Sequence, residues 1–245
     1  TYFFTFQVYC DFSGYSDIAI GSARLLGINL MENFRRPLFS ASIRDFWKRW
    51  HISLMSWFRD YVYFSLGGNR VTRLLLHRNI WAVFLLSGLW HGADWNFVLF
   101  GGLHALYMSV SALTRRFRSG LVAAVAGLAS RPLAGAPRTL ARLSAAGGGA
   151  LHLWRVFVTF HLLALGWFLF RTSSPQDGYT LLKHLFVPPE GAPSLLEASD
   201  LDAYQLGLAF GSVGFLLLVQ LLAGKKPFAE AVGSLPSRWL RWPFY

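Results

Sequence analysis

Leu86-Ser87-Gly88-Leu89-Trp90-His91-Gly92-Ala93-Asp94-Trp95-Asn96 places a histidine in the middle of a long apolar stretch. From Ile80 to Val110 there is no Lys, Arg or Glu. Polar side chains in hydrocarbon cost free energy, and those that persist usually mark a pathway or a site. The stretch runs from Asn79 to Thr114, between Arg78 on one side and Arg115, Arg116 and Arg118 on the other. Basic residues at both ends put both ends in the cytoplasm. Two full spans need about 20 residues each plus a turn, more than the stretch supplies. A broken or re-entrant hairpin is therefore expected, with Gly88, Gly92 and Gly101-Gly102 permitting irregular backbone where protein surrounds it. A helix from Asn79 to His91 rises about 18 Å, roughly half of a 30 Å hydrocarbon core, so His91 is expected near mid-membrane.

Composition agrees with a membrane setting. Of 245 residues, 54% are hydrophobic, 17% aromatic and only 14% charged, against about 25% charged in soluble domains. The net charge of +11 does not point to nucleic acid, because the basic residues sit in loops flanking apolar segments, where membrane topology puts them. One cysteine, Cys10, excludes an internal disulfide and a cysteine-based metal site. No secretory leader is visible. The chain opens inside an apolar run and stops on Trp242-Pro243-Phe244-Tyr245, which reads as a piece of a longer polytopic protein.

Outward from the central stretch, Thr1 to Leu30 reads as a first membrane helix with a polar face. Ser13, Ser16 and Asp17 share one side, and Asp11 and Tyr15 also interrupt the apolar run. Such carboxylates face a bundle interior or a water-filled cavity, or else belong to a helix-packing hydrogen-bond cluster. Glu32 to Arg78 is too charged to span. Pro37 stops any helix near Arg36, and Ser42 or Ser40 caps the next. That helix, Ile43 to about Phe64, is amphipathic: Trp47, Trp50, Leu54, Phe58 and Tyr61 fall on one arc and Lys48, Arg49, Ser53, Ser56, Arg59 and Asp60 on the other. It is expected to lie in the interface, with His51 inside the apolar arc. Gly67-Gly68-Asn69 is a turn. Arg115 to Gly149 reads as a basic cytoplasmic loop, with room for a weak surface helix. Leu151 to Phe170 spans, Arg171 to Ala203 is an acidic outer loop, and Tyr204 to Ala223 spans again. The expected organisation is all-α, a polytopic membrane helix bundle with interfacial and re-entrant helices. One partial domain covers 1–245, divided into a motif-bearing region 1–110, a basic loop 111–150 and C-terminal membrane helices 151–245.

Among seven histidines, His77 reads as a solvated loop residue, His104 as a hydrogen-bonded core residue and His184 as structural. His152 and His161 point about 180° apart on one helix and cannot share a metal. Nothing resembles a zinc motif, so no metal is expected. His91 stands out, because Trp90, Asp94, Trp95 and Asn96 gather aromatic and polar groups around it. An imidazole titrating near neutrality can take the proton from a hydroxyl as it attacks an acyl carbon, worth about 10²–10⁴-fold in rate. With no nucleophile elbow and no well-placed cysteine, direct transfer from a thioester to a hydroxyl is the simpler chemistry.

A set of motifs then becomes recognisable. It comprises Asp11-Phe12-Ser13-Gly14-Tyr15-Ser16-Asp17-Ile18-Ala19-Ile20-Gly21, Glu32-Asn33-Phe34 and Phe46-Trp47-Lys48-Arg49-Trp50-His51-Ile52-Ser53-Leu54. Trp57-Phe58-Arg59-Asp60-Tyr61-Val62-Tyr63, Gly67-Gly68-Asn69-Arg70 and Gly88-Leu89-Trp90-His91-Gly92-Ala93 complete it. Together they resemble the membrane-bound O-acyltransferase (MBOAT) family, in its bacterial branch concerned with alginate, peptidoglycan and teichoic acid. The resemblance is dense from Phe6 to about Tyr107. It implies a ring of tilted helices around a thin centre, with His91 as the base and His51 as the second signature position, orienting thioester or acceptor. Trp90, Asp94, Asn96, Asp11 and Asp17 are the candidate substrate-binding residues. The family implies no bound cofactor. It implies an acyl donor on the cytoplasmic side, acetyl-CoA or an acyl-carrier thioester, and a polysaccharide acceptor or periplasmic acetyltransferase partner. The setting it implies is the lipid of a bacterial inner membrane, crossed several times. Arg35, Arg36, Arg44, Lys48 and Arg49 suit the donor's phosphates or an acidic carrier, or follow from positive-inside bias alone. The competing class is a non-catalytic transporter or scaffold subunit of a polysaccharide export system, using Asp11 and Asp17 as pathway residues.

Overall fold

The computed structural model describes residues 2–120, 124, 138–187 and 202–222. Helix α1 (Tyr2–Leu25) ends at Gly27, whose φ of 76° closes a Schellman motif. Ile28 N–H reaches Ala23 O at 2.9 Å and Gly27 N–H reaches Arg24 O at 3.0 Å, satisfying carbonyls that the helix end would orphan. The helix thus stops five residues before the expected Leu30. A 3₁₀ turn at Pro37–Phe39 follows, then α2 (Ile43–Phe46), capped by Ser42, whose hydroxyl accepts from Asp45 N–H at 3.1 Å.

The single amphipathic helix expected from Ile43 to Phe64 is broken. After α2 the chain turns, His51 adopts a left-handed conformation, and α3 (Ile52–Phe58) starts afresh before a π turn at Arg59–Tyr63. The apolar arc was anticipated for Trp47, Trp50 and Phe58, which are buried, but Tyr61 is exposed. A helical wheel assumes 3.6 residues per turn throughout, and the break at His51 resets the phase.

The central stretch forms a hairpin of two helices, α4 (Arg73–His91) and α5 (Trp95–Leu113). Asp94 caps α5, its carboxylate accepting from Asn96 N–H at 2.9 Å. Glycine lets the two helices touch backbone to backbone. A Cβ at Gly88 would strike the Phe97 carbonyl, and one at Gly101 the Phe84 carbonyl, the close approach that small residues permit between membrane helices. At the base of α4 the fully buried Asn79 donates to Leu66 O (3.0 Å) and Gly68 O (3.1 Å). Those bonds hold the Gly67-Gly68 turn, whose φ values of 92° and 58° suit glycine.

Helix α6 (Arg138–Arg171) extends the expected Leu151–Phe170 span backwards into what was read as a loop. Residues 115–120 are also helical. The expected outer loop contains α7 (Pro175–Phe186), with Ser174 at its N-cap and Pro175 in its first turn, so His184 is helical rather than in a loop. Helix α8 (Ala203–Leu222) matches the last expected span. Three described helices, Trp95–Leu113, Gly148–Arg171 and Ala203–Leu221, are long and apolar enough to cross a membrane. Helix α1, expected as the first span, is not among them, since Asp11, Asp17 and its serines dilute its apolar run. No strand occurs among the described residues.

The core lies where α2, α4, α5 and α6 meet, around Phe46, Trp47, Trp50, Phe84, Phe100 and Trp167. Phe46 stacks on Trp50 at 5.4 Å and Trp50 meets Trp167 at 4.9 Å, within the range where aromatic pairs attract beyond their buried area. His104 is 1% exposed, and its Nδ1 accepts from Trp47 Nε1–H at 3.3 Å. Its ring lies against Gly166, where a Cβ would sit 2.7 Å from Nε2. It is the hydrogen-bonded core histidine expected from sequence.

Candidate active site

Two histidines from different segments converge. His91 is the last residue of α4, and His51 sits at the break before α3. The Trp90 ring meets both of them edge-on: its centroid is 5.9 Å from that of His51 and 5.0 Å from that of His91. Both imidazoles are half-buried, and Trp90 is 58% exposed, so the pair is walled but reachable. On the far side His91 meets Phe170 at 5.0 Å, and His51 meets Phe12 at 4.6 Å. Phe170 contacts Trp167 at 5.4 Å, and Trp50 contacts Phe12 at 6.5 Å. Through the Trp50–Trp167 contact, the rings form a closed circuit with an imidazole at two of its positions.

His51 lies outside the three helices long and apolar enough to cross a membrane. Burial pushes its imidazole from the ordinary 6.5 down to about 4, with His91 beside it adding to the shift. It is therefore neutral at pH 7. Its backbone, at φ 45° and ψ 53°, is in the left-handed region, where a non-glycine residue costs about 1–3 kcal/mol and persists only when its surroundings impose it. His51 and Arg36 are the two such residues among those described.

Residues 1–124 match the MBOAT, membrane-bound O-acyltransferase, family. This chain belongs to that family. It is similar to the probable alginate O-acetylase AlgI of Pseudomonas aeruginosa, 36% identical over 235 residues, which are 93% of this chain and 40% of the relative. The peptidoglycan O-acetyltransferase of Helicobacter pylori is 37% identical over 184 residues, 74% of this chain and 29% of that protein. The teichoic acid D-alanyltransferase of Bacillus subtilis is 36% identical over 115 residues, 44% of this chain and 29% of that protein. The chain spans less than half the length of these relatives.

Of the site residues read from this MBOAT sequence, the structure brings together His51, Trp90 and His91. Asn96 is 3% exposed and spends its side-chain N–H on Thr172 O at 2.6 Å, tying the start of α5 to the end of α6 beside Phe170. Asp94 is exposed and serves as the α5 cap. Asp11 and Asp17 are on the exposed side of α1, while Phe12 and Ser16, between them in sequence, turn inward. Phe170 escaped sequence reasoning altogether. It closes an ordinary apolar span, and nothing local distinguishes it from its neighbours. Asn33, whose side-chain oxygen accepts from Ser53, was not visible from sequence for a different reason: that partner lies 20 residues away. No group of three or more His, Cys, Asp or Glu that would hold a metal occurs among the described residues.

Proposed function

We propose that this protein is a multi-pass inner-membrane O-acetyltransferase that carries an acetyl group from a cytoplasmic thioester towards an exported polysaccharide, or towards a periplasmic partner that finishes the transfer. The observation that carries this is that His51 and His91, from different segments, both contact the ring of Trp90. His91 takes the proton of the acceptor hydroxyl as its oxygen attacks the thioester carbonyl. The carbon–oxygen bond forms, the carbon–sulfur bond breaks, and the proton on His91 passes to the departing thiolate. The neutral His51 orients the hydroxyl or the thioester.

The relatives named for alginate, peptidoglycan and teichoic acid support a cell-envelope polymer as the final acceptor. The donor is acetyl-CoA or an acyl-carrier thioester. Exposed Arg35, Arg44 and Lys48 supply a basic surface for its phosphates. A transporter or scaffold without acyl chemistry is not favoured, since the relatives are named as acyl-transferring enzymes.

The test is transfer of radiolabelled acetyl from the thioester by membranes containing the intact protein. His91→Ala is expected to stay folded and to lose about 10²–10⁴-fold in rate. Wild-type transfer by that variant would remove the mechanism.

A further inference from the structure

His51 occupies the N-cap position of α3, yet its side chain makes no capping bond. Helix starts leave their first N–H groups without intrahelical partners. Here they are taken by a residue from another segment. Asn33 O accepts from Ile52 N–H at 3.1 Å, and Asn33 Oδ1 accepts from Ser53 N–H at 3.1 Å and from the Ser53 hydroxyl at 2.6 Å. Two residues along, Arg35 N–H reaches Arg49 O at 2.9 Å, so the stretch 33–35 is fastened on both sides of His51. Phe34 anchors it, with its ring 4.9 Å from both Phe12 and Trp50. Asn33 Nδ2 donates in turn to Ser16 Oγ at 3.5 Å.

These bonds decide where the protons are. Ser53 N–H is a donor, so the amide oxygen of Asn33, and not its nitrogen, faces it. The Ser53 hydroxyl has one hydrogen, and the 2.6 Å contact to that oxygen takes it. Only lone pairs of Ser53 Oγ remain for His51 Nδ1, 3.5 Å away. A protonated Nδ1 can donate to them, whereas a bare Nδ1 would set lone pair against lone pair, so the contact favours the tautomer with the proton on Nδ1 and a bare Nε2.

We propose that Asn33 is a positioning residue for His51: it substitutes for the missing helix cap, holds His51 in its left-handed backbone conformation, and through Ser53 fixes the tautomer protonated on Nδ1. His51 then offers a lone pair at Nε2, which accepts a hydrogen bond from a hydroxyl and cannot donate one to a carbonyl. Its partner is a hydroxyl of the acceptor beside the reacting one, whose single hydrogen goes to His91, and not the thioester oxygen. This rests on the acyl-transfer reading of the His51–His91 pair.

Two measurements on the intact protein in membranes test it. With ¹⁵N-labelled histidine, the resonances lost in His51→Gln belong to His51. At pH 7 they are expected to report a protonated Nδ1 and an unprotonated Nε2 in wild type, and the opposite tautomer would overturn the proposal. In the transfer assay, Asn33→Ala is expected to lower kcat by about ten- to a hundredfold, as small misplacements near reacting groups do, with donor KM unchanged. Asn33→Asp, which keeps the accepting oxygens, is expected to recover most of the rate. Should Asn33→Ala fail to fold, Ser53→Ala and Ser53→Thr decide. Loss of rate and of the fixed tautomer in the first, with both regained in the second, supports the proposal; wild-type kcat and tautomer in Ser53→Ala overturn it. Full activity in His51→Gln would instead refute the acyl-transfer role of His51, while the resonances would still report whether Asn33 and Ser53 hold the ring.

Discussion

At residue scale, His51 combines two costs, a left-handed backbone and an imidazole displaced by burial from 6.5 to about 4. They make separable predictions. Stability at this position follows tolerance of positive φ, so His51→Asn is expected to fold about as well as wild type. His51→Val, with a β-branched side chain in a region such residues avoid, is expected to lose about 1–3 kcal/mol. Activity follows the imidazole and falls in both. Thermal unfolding in detergent beside the transfer assay checks the pair, and equal stability of the two variants would contradict it. The pH prediction follows from the sign of the shift. Below 6.5 the unfolded chain protonates His51 while the folded one does not, until about pH 4. Stability therefore rises with pH across that window and is lost as pH falls through it. The unfolding temperature is expected to drop between pH 6.5 and 4, and by less in His51→Asn. Identical pH profiles would show that His51 is not the group responsible.

At the scale of elements, legibility in the sequence depended on whether the signal was local. The Ser42 cap, the Gly67-Gly68 turn and the last span were readable because capping, positive φ and apolar length act within a few residues. The broken helix was not. Trp47, Trp50 and Phe58 have helical spacing, and what breaks the helix is Asn33, which replaces an internal cap with one supplied from 20 residues upstream. The site was half legible for the same reason. His91 and Trp90 are adjacent and stood out, whereas Phe170 reaches them only through tertiary packing of α6. From sequence the glycines of the α4–α5 hairpin read as permission for irregular backbone, whereas Gly88 and Gly101 lie in regular helix and serve close contact. Gly101→Ala puts a methyl group into the Phe84 carbonyl and is expected to cost about 1–3 kcal/mol by overpacking. Since α4 ends in His91, the same shift should lower transfer activity. Gly102→Ala is the control, because the side chains nearest its Cβ are 3.8 Å away. Equal unfolding temperatures for the two variants would show that the hairpin is not packed backbone to backbone.

For the whole molecule, the distribution of charge and the order of helices lead to one sidedness. Arg44, Lys48 and Arg70 lie on the segment between α1 and α4, and they are exposed. Helix α6 carries the chain from Arg138 to Arg171, and α7 follows with Gln176 and Tyr179 exposed on it. If α6 crosses the bilayer once, α7 lies opposite the end at which α6 begins, the side assigned to the basic segments by positive-inside bias. On the proposed acyl-transfer reading, that arrangement would bring the acceptor to His91 from the side of α7, since Phe170 lies one residue before Arg171 and touches His91. Cysteine labelling tests it. In a background where the exposed Cys10 is replaced by Ser, Gln176→Cys is expected to react with a membrane-impermeant maleimide in intact cells. Arg70→Cys is expected to react only after the membrane is opened. Labelling of both from the same side would place α7 with the basic segments and leave the acceptor no separate approach to His91.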